Sequence, residues 1–331
     1  IDKEFSTTTE KAGVSAAAYS NGMIWTYATG KADETARMTA ETPMFISSTS
    51  KTFLSALILT QIEKGLYEIT DTLGVVLSSH PDLPSFDTDK INLDVTISDL
   101  LAMASGLPNF NDNKAGVGEI FKQTSWKPSD NINLVQSPFI EPGTFDYNDT
   151  NVVLLGMVAE HHGDKSLSML YRETFFDPLG MTALTLPEEG LLWHPEIFSD
   201  PGDQFTTPEM AMPYAKLSGA SAEFGNMIEA APYSFGYYIM GQGRIRWACC
   251  SIISTPENIA LWAYQLYSEQ GSAISGTAKT LLLNSFIETS IPIWSNKDRY
   301  GYFAARKSLS LADGESITAY GHPGGGSGYN S

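Results

Sequence analysis

The spacing of apolar and polar positions divides the chain into strand-like ends and a helical middle. Near the start, "VSAAAYS" and "MIWTYATG" flank Asn21-Gly22. That dipeptide suits the tight turn between antiparallel strands, so the segment predicts a β-hairpin. The closing region is patterned alike, with strand-like "YGYFAARKSLSL", then Asp313-Gly314, then "ESITAYGH". In this last segment Thr318, Tyr320 and His322 alternate onto one face. Between the ends the period becomes helical. "KTFLSALILTQIEKG" is apolar nearly all round and closes on Gly65, which predicts a helix buried on most sides. "NVVLLGMVAEHHG" carries Val152, Leu155, Gly156 and Ala159 at helical spacing and stops at Gly163. "STPENIALWAYQLYS" opens with a capping-box pattern from Ser254 to Glu257, with Pro256 in the first turn. Its expected buried stripe is Ile259, Trp262, Ala263 and Leu266. The stretch from about Pro187 to Met240 is rich in Pro, Gly and Met and reads as irregular.

Strands at both ends with helices between them predict an α/β plus all-α architecture. An antiparallel sheet is built from both chain ends, residues 1–46 and 296–331, with a large, mainly helical insertion over residues 47–295. A cleft between two such parts is a common place for an active site.

Composition narrows the function. At 331 residues, 42% hydrophobic and 18% charged, the chain has the make-up of a folded protein with ample core. The net charge of −18 repels phosphate backbones and anionic lipid, which argues against nucleic-acid or membrane-surface roles. No run approaches the ~18 consecutive apolar residues of a membrane span, and Ile1 opens no charged, apolar, then small-residue leader. The two cysteines, Cys249 and Cys250, are adjacent and read as buried small hydrophobes. No metal-ligand spacing is present, so neither metal nor cofactor is expected.

Ser48-Thr49-Ser50-Lys51 is the first candidate for chemistry. Serine and lysine three apart on a helix share one side, so the amine can reach the hydroxyl. At a helix N-terminus, the dipole and burial would lower the lysine pKa toward that of a usable base. A helix cap beside a solvated lysine is the competing reading. His161-His162 fall at a helix end, where the dipole favours them, and are read as structural. Asp87, Asp89 and Asp94 lack the glycine and spacing of a calcium loop. The glycines after His322 lack the Lys-Ser/Thr of a phosphate loop, and no G-x-S-x-G elbow is present.

Taken in order, the segments resemble the serine β-lactamase and penicillin-binding family, including its D,D-carboxypeptidases, class C enzymes and family VIII-like esterases. "TPMFISSTSKTFLSALILTQIEKGLYEITDTL" is similar to that family's phenylalanine and Ser-x-x-Lys at the head of a buried helix. "TISDLLAMASGLPNF" resembles its next segment, with Met103 where a histidine is usual. "EPGTFDYNDTNVVLLGMVAEHHG" followed by "FFDPLGMTALTLP" matches the stretch that bears Tyr-x-Asn, "CSIISTPENIALWAYQL" looks like the segment after it, and "YGHPGGGSGY" resembles the His-x-Gly form of the third motif. The resemblance implies a β-lactamase/transpeptidase-like fold and a serine hydrolase that works through an acyl-enzyme. It implies Ser48 as nucleophile, Lys51 as its base partner, Tyr147 as second acid/base and His322 as a supporting donor. The backbone N–H groups of Ser48 and Gly325 would form the oxyanion hole, with Gly324 and Asp149 as further supporting candidates; Arg306, on the preceding strand, either reads a substrate carboxylate or is a solvated strand arginine.

Two positions depart from the family pattern. Asp149 stands where Asn is usual; it either caps the following helix or, by touching Lys51, keeps the lysine protonated and shifts the base role toward Tyr147. Pro323 stands where Thr or Ser is common, which removes a hydroxyl and a backbone donor for a substrate carboxylate. The implied reaction is β-lactam or D-alanyl-D-alanine-type amide hydrolysis. A carboxylesterase or small-amide hydrolase is the alternative, and a penicillin sensor acylated without turnover is a reading of another class. The partner would be a small molecule, and the family's frequent export implies a periplasmic or secreted protein, with a cytoplasmic one as the alternative. A sheet ending at Ser331 would leave an open edge, so a further segment is expected to complete it.

Overall fold

Asn21 and Gly22 both adopt left-handed backbone, at φ 48° and 78°, the geometry that a two-residue turn needs to match strand twist. They close the expected hairpin between β1 (Gly13–Ser20) and β2 (Met23–Gly30), which pair in register from Gly13–Gly30 to Ser20–Met23. The computed structural model describes residues 13–32, 36–120, 125–181, 244–289, 299–311, 314–326 and 329–331. The expected irregular stretch from Pro187 to Met240 lies outside these.

The central helix runs Lys51–Glu63. Phe53, Leu54, Ala56, Leu57, Ile58 and Leu59 are all buried, so it is enclosed on every side, as its continuous apolar run requires. Each fully buried large side chain contributes about 1.5–3 kcal/mol. Phe53 stacks on Trp262 at 3.8 Å between ring centroids, while the Trp262 indole donates to Thr52 Oγ1 at 2.8 Å. The helix ends at Gly65, whose φ of 70° permits the closing bonds Gly65 N–H to Ile62 O and Leu66 N–H to Gln61 O.

A second buried helix, Asp149–Gly163, packs against it. The cap of this helix is Asn148, whose side chain accepts from the Asn151 N–H, and not Asp149. The Pro256–Tyr267 helix likewise starts one residue later than the capping box suggests, on Thr255, which accepts from the Asn258 N–H. Its buried positions are Asn258, Trp262 and Leu266; Ala263 is exposed and Ile259 only half-buried, because the helix rests on β1 through a narrower face.

Toward the chain's end, a four-stranded antiparallel sheet has the order β5 (Ile287–Glu288), β6 (Arg299–Gly301), β7 (Ala304–Ser310) and β8 (Ser316–Gly321). The segment read as one strand, "YGYFAARKSLSL", is two. Tyr302 and Phe303 take positive φ, 39° and 58°, and turn the chain between β6 and β7. Such backbone is costly for residues with large side chains. Here it is held by full burial of Phe303, by its N–H bond to Leu101 O at 3.1 Å and by Tyr302 Oη against Ser98 Oγ at 3.0 Å. Among the described residues the hairpin and this sheet are separate hydrogen-bonded units. Two short pairs complete the set: β3 (Met44–Phe45) with β4 (Ile253–Ser254), and β9 (Gly325–Gly326) with β10 (Tyr329–Asn330).

Candidate active site

Ser48 sits in a single 3-10 turn, Ser47–Ser50, that feeds directly into the central helix. Ser47 before it is left-handed, with φ 47°, and presents Ser48 partly exposed while its neighbours are buried. Lys51 is fully buried and its Nζ lies 2.9 Å from Ser48 Oγ. The spacing seen in the sequence therefore produces the contact. Thr49 Oγ1 donates to His322 O at 2.9 Å, and Ser331 Oγ to Ile46 O at 2.6 Å, which tie this turn to the final segment. Gly324 and Ser331 exchange backbone bonds at 2.8 and 2.7 Å. A Cβ at Gly324 would strike the Ile46 carbonyl, so glycine is what allows the segment to lie against the Ser47–Ser50 turn.

Asp149 makes the contact that decides the state of the lysine. Its Oδ1 is 2.9 Å from Lys51 Nζ, and its Oδ2 accepts from Asn111 Nδ2 at 2.9 Å. Burial alone would lower the Lys51 pKa, but the Asp149 carboxylate, helped by Cys250 and Tyr147, holds it well above the usual lysine range. Of the two expectations for this lysine, the contact favours the one in which Asp149 touches Lys51 and keeps it protonated over a lysine lowered toward a neutral base. Burial pushes the carboxyl of Asp149 up, and Lys51 more than reverses this, so Asp149 stays ionised.

Tyr147 lies in the extended segment before the Asp149–Gly163 helix, with Lys51 Nζ 5.1 Å from its ring centroid. Burial raises its pKa, Lys51 opposes this, and Asp149 adds to it, so the phenol keeps its proton at neutral pH. The His322 ring stands 5.9 Å from the Tyr147 ring and does not point a donor at it. Its Nδ1 lies 2.6 Å from Pro323 O, so this nitrogen carries the proton, and Nε2 accepts from Tyr300 Oη at 3.0 Å. Burial, together with the Lys51 charge, lowers the imidazole to a pKa of about 3. Tyr300 also stands edge-on to Tyr147 at 5.9 Å. It is a site neighbour that its strand position alone does not reveal.

Gly325 opens β9, opposite Asn330. Arg306 lies on β7, opposite Arg299 and Tyr320, and is half-buried. Met103 adopts φ 56° and offers its sulfur to Asn151 Nδ2 at 3.4 Å, so a packing residue fills the place where the family pattern has a histidine. His161 and His162 stay at the helix end, bonded to Ser79 Oγ at 3.0 Å and Val76 O at 2.8 Å, in keeping with a structural role.

The cysteines are buried as expected, but they do more than fill space. Cys249 O accepts from Lys51 Nζ at 3.3 Å. Cys250 Sγ lies 3.6 Å from Lys51 Nζ and 3.4 Å from Ser48 Oγ. No local sequence signal reports this, because about two hundred residues separate these groups along the chain.

A buried lysine bonded to a partly exposed serine, beneath a tyrosine and beside a glycine-lined strand, is the arrangement that the resemblance implied. The beta-lactamase family model matches residues 1–331. The chain belongs to the beta-lactamase family. It is 27% identical over 143 residues to PbpX of Bacillus subtilis (strain 168), named as a penicillin-binding protein; the match takes in 43% of this chain and 32% of that one. Its fold is similar to a D-stereospecific amidohydrolase from Streptomyces sp., with a TM-score of 0.68 and 19% identity over 95% of this chain and 82% of the other. It is also similar to the D-amino acid amidase of Ochrobactrum anthropi SV3, with a TM-score of 0.69 and 20% identity over 98% and 83%. The β-lactamase/transpeptidase-like fold is therefore the fold of this chain. No helix among the described residues is long and apolar enough to cross a membrane.

Proposed function

We propose that the chain hydrolyses a small amide through an acyl-enzyme on Ser48, with Tyr147 in the role of base. The observation that carries this reading is the Ser48–Lys51–Asp149 chain, with both contacts at 2.9 Å and the lysine fully buried. With Lys51 held as an ammonium, its part is electrostatic: it bonds Ser48 Oγ and stabilises negative charge on Tyr147. The ionised fraction of Tyr147 accepts the Ser48 proton as Oγ attacks the carbonyl carbon. The C–N bond breaks, and the leaving nitrogen takes that proton. Water then enters by the same route in reverse, releases the acid and restores Ser48. The backbone N–H groups of Ser48 and Gly325 are the proposed oxyanion donors.

Pro323 supports a substrate without an anchoring carboxylate at that position, since it carries neither a hydroxyl nor an N–H. The amidase-named structural relatives point the same way, and a small neutral ester is the nearest alternative. The test is a hydrolysis panel of D-amino acid amides, aryl esters, D-Ala-D-Ala peptides and a cephalosporin, read with intact mass. Turnover of an amide with loss of activity in Ser48→Ala supports the reading. An adduct that forms on a β-lactam and persists without any turnover would instead mark a sensor. Turnover that survives Ser48→Ala would sink both.

A further inference from the structure

Gly156 lies on the Asp149–Gly163 helix, facing the helix of residues 244–250. A Cβ there would meet Trp247 Cζ3 and Ala248 Cβ, each at 2.8 Å, so its absence is what lets the two helices close. Asn131 Nδ2 holds the start of this stretch by donating to Arg244 O at 3.1 Å. The result is that Cys249 and Cys250, at the end of this helix, are pressed into the nucleophile pocket. We propose that Cys250 is a thiol–disulfide exchange site, and that its S-thiolation by a small disulfide shuts the nucleophile off. The inference rests on the reading of Ser48 as the nucleophile.

Three features single out Cys250. Its Sγ is buried but lies 3.4 Å from Ser48 Oγ, and Ser48 is the partly exposed member of the cluster, so the approach to the sulfur runs past the serine. Lys51 Nζ at 3.6 Å supplies positive charge beside it, the setting in which thiols become thiolates. Burial and the nearby Asp149 carboxylate push its pKa up, but the Lys51 charge opposes them and favours the thiolate. Cys249 has the opposite character. Its Sγ donates to Arg246 O at 2.8 Å, and burial holds it well above the ordinary thiol value. The two adjacent thiols thus differ in reactivity, and the reactive one touches the nucleophile.

The step balances without a further reagent. The Cys250 thiolate attacks one sulfur of R–S–S–R, a Cys250–S–S–R bond forms, and R–S⁻ leaves with the electron pair of the broken bond. The bound R group then occupies the space over Ser48 Oγ where an acyl carbonyl must sit. Excess small thiol reverses the exchange.

The full chain has two cysteines, which makes the test direct. The native protein is treated with 4,4′-dithiodipyridine at pH 7, and released thiopyridone, peptide fragmentation and hydrolysis are followed together. The expected result is one rapid equivalent on Cys250, loss of hydrolysis in proportion and recovery with dithiothreitol. Cys249→Ala should still take its one label on Cys250, and Cys250→Ala should keep its own untreated activity after exposure. Label on Cys249 instead, a Cys250-labelled chain that still turns over, or equal inactivation of Cys250→Ala would each overturn the proposal. Labelling is read independently of hydrolysis. A chain that labels on Cys250 but never acylates on Ser48 contradicts the functional reading, and one that acylates on Ser48 with Cys250 unreactive contradicts this one. An unchanged melting temperature of the labelled chain separates blockage from unfolding.

Discussion

Replacing Asp149 by Asn deletes a carboxylate charge from the Lys51 pair while keeping the side chain's shape and its place on the helix. Two unit charges about 4 Å apart at an effective dielectric of about 20 interact by about 4 kcal/mol. The Lys51–Asp149 contact, at 2.9 Å and buried on both sides, belongs at or above that figure. Loss of that attraction makes Lys51 easier to deprotonate. Water admitted near the altered pair offsets part of this change. Asp149 also raises the pKa of Tyr147, so the tyrosine falls too, by less. Either group loses its proton more readily in the variant. The assay is the pH dependence of kcat/KM for an amide or aryl ester. In the parent, the rate should climb into the alkaline range, because both candidate bases rest protonated. In Asp149→Asn the rising limb should shift to lower pH by about one unit or more. A profile that superimposes on the parent's within a few tenths of a unit would refute the assigned role of the ion pair. Stability depends on the same charge. Asp149 has a depressed pKa, so its contribution is present above its ordinary value of 3.8 and is lost as pH falls through the folded value. The variant should therefore melt lower than the parent at pH 7 and converge with it in strong acid.

Three further outcomes follow from the same geometry. His322 is held neutral, its pKa lowered from 6.5 to about 3, so stability should fall between those values at up to about 1.4 kcal/mol per pH unit. His322→Gln should flatten that slope in acid melting curves, and an unchanged slope would count against a buried neutral imidazole. Asn148→Ala removes a helix cap and the bonds from Nδ2 to Leu107 O at 3.0 Å and Asp146 O at 3.2 Å. It should cost about 0.5–2 kcal/mol in denaturant melts and lower kcat by loosening the segment that holds Tyr147. Gly106→Ala forces a side chain onto φ 71° and into the Ile140 carbonyl. It should destabilise the chain by about 1–3 kcal/mol, and a neutral result in the same melts would show that the loop relaxes freely.

What the sequence makes legible is what depends on near neighbours. Asn21-Gly22 specifies its hairpin because the turn needs two left-handed residues, whatever surrounds them. The central helix is readable because an apolar run of that length can only be satisfied by burial. Ser48 and Lys51 meet because the spacing of a helix brings them together. The parts that stay hidden depend on packing between distant segments. Tyr302 and Phe303 break a strand-like run because Leu101 and Ser98 hold them in backbone that their side chains disfavour. Asp149 is legible as either a cap or a Lys51 partner, and only the packing of its helix against the central one decides for the 2.9 Å contact with Lys51. Cys250 meets Ser48 because Gly156 lets two helices approach. Asn148 and Thr255 displace the expected caps by one position each, which is a matter of backbone geometry that residue type alone leaves open.

The most direct test is intact mass spectrometry of the parent and of Ser48→Ala after brief exposure to a slowly released acyl donor, such as an aryl ester or a β-lactam. The expected result is a single acyl increment on the parent, mapped by peptide fragmentation to Ser48, and none on the variant. An increment that persists at equal yield in Ser48→Ala, or that maps to another residue, would contradict the acyl-enzyme at Ser48.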